Sequence, residues 1–210
     1  MLQPQILRNR VKSHLLLQIQ KGELQVGKTI NLASLSRKIG VSVTPIREAL
    51  SQLEQSRIIS AIPNRGFVVT QLSRKEAKNL YETIAQLEIM ALESSNFSED
   101  DISLLRKRQL DLQQAHTPFG RLQARLQFHD LLVRNCQNAV LLQILEELKT
   151  RLLFYEQGFG NDSTFYENVD NQNEAVIQAI EENNVPTAAL ILKMNWMVVL
   201  EYVESRMKSA

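Results

Sequence analysis

Apolar residues Ile6, Val11, Leu15, Leu16 and Ile19 recur at helical spacing, which predicts an amphipathic helix over residues 5–20. The run Lys21-Gly-Glu-Leu-Gln-Val-Gly-Lys28 breaks it with two glycines. Asn31 is placed to cap a short helix over Leu32–Ile39, and Gly40 to end it. Thr44-Pro45 reads as a cap followed by proline at the first helical position, opening a third helix that runs to Ser56 with Ile46, Leu50 and Leu53 inward. Two short apolar runs, Ile58–Ile62 and Phe67–Thr70, flank Pro63-Asn64-Arg65-Gly66 and predict a strand, a tight turn and a second strand.

Beyond Leu72 the pattern is helical throughout and no strand pattern recurs. Ser73, with Glu76 three residues on, predicts a capped helix to Ser94, and Ser98 with Asp101 starts another. Pro118 and Gly120 mark a break before a helix over 121–135. Asn138 caps a helix to Gln157, Gly158–Asn161 is a loop, and helices over 163–183 and 186–208 complete the chain. Three helices and a hairpin followed by six helices predict a mainly α protein: a winged helix-turn-helix over residues 1–72 and an all-helical bundle over 73–210.

Charge sharpens this division. Residues 1–75 carry twelve Lys/Arg against three acids, a net +9, so the remainder of a chain whose net charge is +1 must sum to −8. A basic module joined to an acidic one points the first part at a polyanion. Apolar residues make up 44% of the chain, enough for real cores. No run is long and apolar enough to span a membrane, the start lacks a secretory profile, and the single Cys136 suits a reducing compartment, so a cytoplasmic location is expected. No nucleophile–base pair, carboxylate pair, phosphate loop or zinc-type cluster is present, which argues against an enzyme and against a cofactor.

In a winged helix-turn-helix the third helix reads the major groove. Ser42, Val43, Thr44 and Arg47 stand at its start. The two hydroxyls and the free N–H groups suit phosphate, while Arg47 either holds phosphate or reads guanine bidentately. On the wing, Asn64, Arg65 and Gly66 form the tip, with Arg65 displayed towards DNA. Arg37 and Lys38, at the end of the second helix, face phosphate or solvent.

The segment Leu35-Ser-Arg-Lys-Ile-Gly-Val-Ser-Val-Thr-Pro-Ile-Arg-Glu-Ala-Leu-Ser-Gln-Leu-Glu54 closely resembles the signature of the GntR family of bacterial regulators, and Ile62-Pro-Asn-Arg-Gly-Phe-Val-Val69 resembles that family's wing. The resemblance implies a homodimer bound to a short palindromic double-stranded operator. Many members have Arg where this chain has Val43, and some where it has Ala33, so fewer bases or a different operator are read.

The helical half resembles the effector domain of the FadR-like (FCD) branch, its six helices being similar to the VanR-type subgroup. Leu87-Glu88, Phe128-His129 and the final helix pair near Asn173 carry this resemblance. Many relatives hold a divalent metal through one Asp and three His, and the metal holds a carboxylate effector. Those four positions fall on Arg125, His129, Asn173 and Asn195, so no bound metal is expected. An Arg that often faces the effector falls on Ile84. The swap suggests a sensor in which Arg125 grips a small organic anion directly, with His129, Asn173 and Asn195 completing the pocket. The alternative is that Arg125 pairs with Glu88 or another acid. The reading is then of a DNA-binding repressor controlled by a small carboxylate, or of an effector-independent dimer whose helical half only dimerises. Tyr155, Phe154 and Phe159 either line the pocket mouth or pack, and His116 suggests no role.

Overall fold

The structure, a computed structural model, describes residues 4–20, 23–70, 73–156 and 162–207. The expectations placed on Lys21, Gly22, Leu72, the 158–161 loop with Phe159, and residue 208 lie outside the described residues. The chain divides into two compact units. The first comprises residues 1–72 together with 150–158, and the second comprises 73–149 and 159–210.

In the first unit, α1 (Pro4–Gln20), α2 (Leu32–Ile39) and α3 (Val43–Gln55) precede a hairpin of β1 (Ile59–Ile62) and β2 (Gly66–Val69). The Asn31 side chain caps α2 by accepting from Ser34 N–H at 2.9 Å. Gly40 ends it at φ 73°, its N–H donating to Ser36 O. This left-handed turn costs glycine little and other residues more. The Ser36 hydroxyl donates to Val41 O at 2.6 Å and fixes the turn between the two helices.

α3 starts two residues earlier than Thr44-Pro45 suggests. Ser42 is its N-cap and Pro45 sits at the third helical position. Proline is tolerated there because N–H groups of the first turn have no intrahelical acceptor. Ile46, Leu50 and Leu53 are fully buried with Val11, Leu15 and Ile19 of α1, each worth roughly 1.5–3 kcal/mol of apolar burial. Phe154 belongs to this same core, so packing, not a pocket mouth, accounts for it.

The hairpin pairs Ile59 with Val69 and Ile62 with Gly66. Its tip turns through Asn64 at φ 61° and Gly66 at φ 84°. A third segment joins that the sequence pattern does not reveal. Gly27 N–H donates to Val69 O, Ile30 N–H to Phe67 O, and Thr29 bridges Val68. The stretch is too short to show strand alternation.

After the hairpin α4 (Arg74–Glu93), α5 (Glu99–Gln113), α6 (Pro118–Val133), α7 (Ala139–Tyr155), α8 (Ser163–Glu181) and α9 (Val185–Arg206) follow in order; all belong to the second unit except the end of α7, residues 150–155, which belongs to the first. Ser98 and Asp101 make the expected capping box on α5, and Asn138 caps α7 through Leu141 N–H. Pro118 and Gly120 do not break the chain. Thr117 caps α6, accepting from Gly120 N–H at 3.0 Å with Pro118 in the first turn, so the helix begins three residues before the expected 121. α4 packs on α9, α9 on α8, α8 on α5, α5 on α6 and α6 on α4. These five helices therefore close a ring whose interior receives side chains from every member.

Candidate functional site

Two sets of residues are candidates, one in each unit. In the first, Ser42, Val43, Thr44 and Arg47 are exposed at the start of α3, and Arg37 is exposed at the end of α2. The Ser42 hydroxyl makes no capping bond, so α3 presents that hydroxyl and its first N–H groups outward. Lys38 is tied to Glu23 at 3.0 Å. Arg65 does not swing freely from the wing: its Nη2 donates to Gly27 O at 3.1 Å. Gly27 is thus a positioning residue that sequence reading missed, since the contact spans 38 residues.

The second set lies inside the ring. Arg125, His129, Asn173 and Asn195 are all buried, as are Glu88, Gln109, Lys149 and Trp196. Glu88, on α4, is the hub. His129 Nδ1 lies 2.7 Å from its Oε2, Trp196 Nε1 donates to the same oxygen at 2.7 Å, and Lys149 Nζ lies 2.9 Å from Oε1. Lys149 also reaches Asp130 at 2.8 Å. Burial alone would raise the Glu88 carboxyl, but charge and hydrogen bonds from its partners hold it at about 2. Burial lowers the pKa of His129 despite the pull of Glu88. Burial would also lower Lys149, but Glu88 and Asp130 outweigh it and hold the amine above its ordinary range.

A neutral imidazole whose Nδ1 faces a carboxylate keeps its proton there, which leaves Nε2 as an acceptor. That Nε2 is buried and has no hydrogen-bond partner. Asn195 Nδ2 donates to Val169 O and to Asn173 Oδ1 at 3.1 Å, while its own Oδ1 has no partner. Asn173 Nδ2 continues the chain to Gln109 Oε1 at 3.0 Å. The Arg125 guanidinium lies 5.2 Å from the centre of the Trp196 ring, and the His129 ring lies 4.5 Å from that same ring. Arg125 and His129 therefore meet at Trp196, and Asn173 and Asn195 meet each other.

The set does not suit the divalent metal of the resembling relatives. It offers one imidazole nitrogen and amide oxygens, one of them already bonded, beside a buried guanidinium that repels a cation. Among the described residues no three His, Cys, Asp or Glu gather as a metal group.

Sequence reading gave Glu88 as part of the family resemblance and as a possible partner of Arg125, and it missed Lys149 and Gln109. The signal was present. Glu88 follows Ile84 on the buried stripe of α4, Lys149 lies between Leu145 and Leu152 on α7, and Gln109 between Leu105 and Leu112 on α5. A charge or amide at a core position of an amphipathic helix must find a partner there.

Residues 7–69 match the family described as bacterial regulatory proteins, gntR family, and residues 79–195 match the FCD domain. The chain is 31% identical over 144 residues to the HTH-type transcriptional regulator YdhC of Bacillus subtilis, a match covering 65% of this chain and 63% of that protein. It is 30% identical over 108 residues to the HTH-type transcriptional regulator McbR of Escherichia coli, covering 50% and 49%. Both matches thus span less than two thirds of those relatives' lengths. The solved structure of E. coli McbR/YncC superposes with a TM-score of 0.82 at 19% identity, over 98% of this chain and 99% of that one, a likeness of fold.

Proposed function

The chain belongs to the GntR family of bacterial regulatory proteins and carries an FCD domain, and from that premise we propose that it is a homodimeric, sequence-specific DNA-binding repressor controlled by a small organic anion. Residues 1–72 are its DNA-binding domain and 73–210 its effector and dimerisation domain. The exposed start of α3 enters the major groove, and Arg65, steadied by Gly27 O, contacts DNA from the wing. Met90 on α4 and Leu190 and Met194 on α9 are 54%, 60% and 52% exposed, apolar surface that a second copy would cover.

One observation carries the effector reading. The interior of the helical ring holds a buried guanidinium and two fully buried acceptors, His129 Nε2 and Asn195 Oδ1, that make no hydrogen bond within the protein. A hydroxyl or amide N–H satisfies those two acceptors, and a carboxylate borne on the same molecule is drawn to the guanidinium charge. Thermal melting of the full chain against small carboxylates and sugar acids, with and without a chelator, tests this. A chelator-resistant rise that Arg125→Ala abolishes supports the anion sensor, because a ligand of the folded state raises the melting point by mass action. A rise lost on chelation rejects the metal-free site.

The Glu88 carboxylate favours a second reading. It already serves three donors, so the interior holds an acid of its own. A dimeriser that senses nothing predicts no shift with any compound and operator affinity indifferent to metabolites.

A further inference from the structure

We propose that a cleft between the end of α5, the start of α6 and the first half of α8 binds a small zwitterion of the amino-acid type, an ammonium group with a carboxylate beside it. The cleft encloses about 460 Å³, and its walls include Gln113, His116, Arg121, Tyr166, Glu167 and Asp170. That volume is ample for such a molecule.

The charges do not balance. Glu167 and Asp170, three residues apart on one face of α8, set two carboxylates against the single guanidinium of Arg121. Asp170 is only 9% exposed. Its Oδ2 takes Arg121 Nη2 at 2.6 Å, while its Oδ1 is buried and has no hydrogen-bond partner. Arg121 Nε is likewise buried without a partner, and its guanidinium is fixed 4.2 Å above the Tyr166 ring. One carboxylate oxygen and one guanidinium N–H of this ion pair thus lack a hydrogen bond. An ammonium next to a carboxylate is their complement: the ammonium donates to Asp170, the carboxylate accepts from Arg121, and the Gln113 and Asn171 amides lie in the same wall. Burial pushes the Asp170 carboxyl above its usual range, with Arg121 and a weaker Gln109 contact only partly offsetting it, so a further cation would be welcome there.

The site is separate from the Arg125 cluster yet joined to it. Gln109 Nε2 donates to the Asp170 carbonyl at 3.2 Å, and Gln109 Oε1 accepts from Asn173. A simple carboxylate, the class assigned to the interior, would meet Glu167 and Asp170 with like charge.

Calorimetric titration of the full chain with each standard amino acid at millimolar concentration, alongside ethylamine and propionate, tests the proposal. At least one amino acid should bind more tightly than both single-function probes. Asp170→Asn should weaken it about tenfold or more, as loss of a charge-assisted contact does. The exposed Glu167→Gln should weaken it less. Glu167→Gln, whose side chain makes no core contact to lose, keeps the test open if Asp170→Asn fails to fold. Binding by no amino acid, equal binding by propionate, or indifference to both α8 variants overturns the proposal.

Discussion

His129 Nδ1 lies 2.7 Å from Oε2 of Glu88, with both side chains fully buried. The pair fixes the imidazole tautomer, and Glu88 also balances the buried Lys149. Removing one partner from a buried ionic network costs about 3–5 kcal/mol, because the other charge is left unpaired. Glu88→Ala should therefore lower unfolding free energy in urea by roughly that amount. Glu88→Gln should cost less, since an amide oxygen still accepts from Trp196. An alanine variant as stable as the parent would mean that Lys149 is balanced elsewhere.

The same residues make stability depend on pH. Glu88 titrates at about 2 in the folded chain against an ordinary 4.5, so the unfolded chain binds the extra proton between those values. His129 is also shifted down by burial, so the unfolded chain again binds more protons just below the ordinary histidine range. Both contributions are complete above the unfolded pKa values and are lost as pH falls. The Glu88 part alone amounts to roughly 3 kcal/mol at 1.36 kcal/mol per unit. Melting temperature should fall steadily from neutral pH towards pH 3, and in Glu88→Gln the segment below pH 4.5 should flatten.

The helices were legible because their signals are local. Asn31, Gly40, Ser98 with Asp101, and Asn138 each end or begin an element through partners a few residues away. The four interior residues came from family resemblance instead, and their surroundings did not come at all. Glu88 is 108 residues from Trp196 and Gln109 is 64 from Asn173, distances over which no periodicity speaks. The strand segment around Thr29 was hidden for a related reason, being defined by its pairing with Val68 and not by a pattern of its own.

Gly40 allows a test of backbone conformation alone. Its φ is 73°, and a Cβ built there would meet nothing within 4 Å. Gly40→Ala should destabilise the first unit by about 1–2 kcal/mol, the cost of a left-handed L-residue, with no steric term. Gly40→Asn should cost less, because Asn tolerates that region better. The comparison is read by denaturant unfolding followed through a probe in residues 1–72. Equal stability of the Ala and Gly forms would mean that the turn relaxes out of the left-handed region.

Arg47 is the residue whose role a salt titration decides. It is exposed at the outward end of α3, where phosphate and guanine are both within the reach of a guanidinium. A phosphate contact weakens with salt through counterion release, so Arg47→Ala would lower the slope of log K against log salt by roughly 2 for a dimer, one per protomer, and would weaken all sequences alike. A guanine contact would leave the slope nearly unchanged and cost about 1–3 kcal/mol at a single base position per half-site. We expect the base contact. Val43 leaves α3 without the arginine that resembling relatives place there, and Ser42 with the helix N–H groups already suits phosphate. Fluorescence anisotropy on operator DNA and on a variant with that base pair exchanged, at several salt concentrations, separates the outcomes: a slope change with uniform weakening assigns Arg47 to the backbone, while a constant slope with relaxed sequence preference assigns it to the groove.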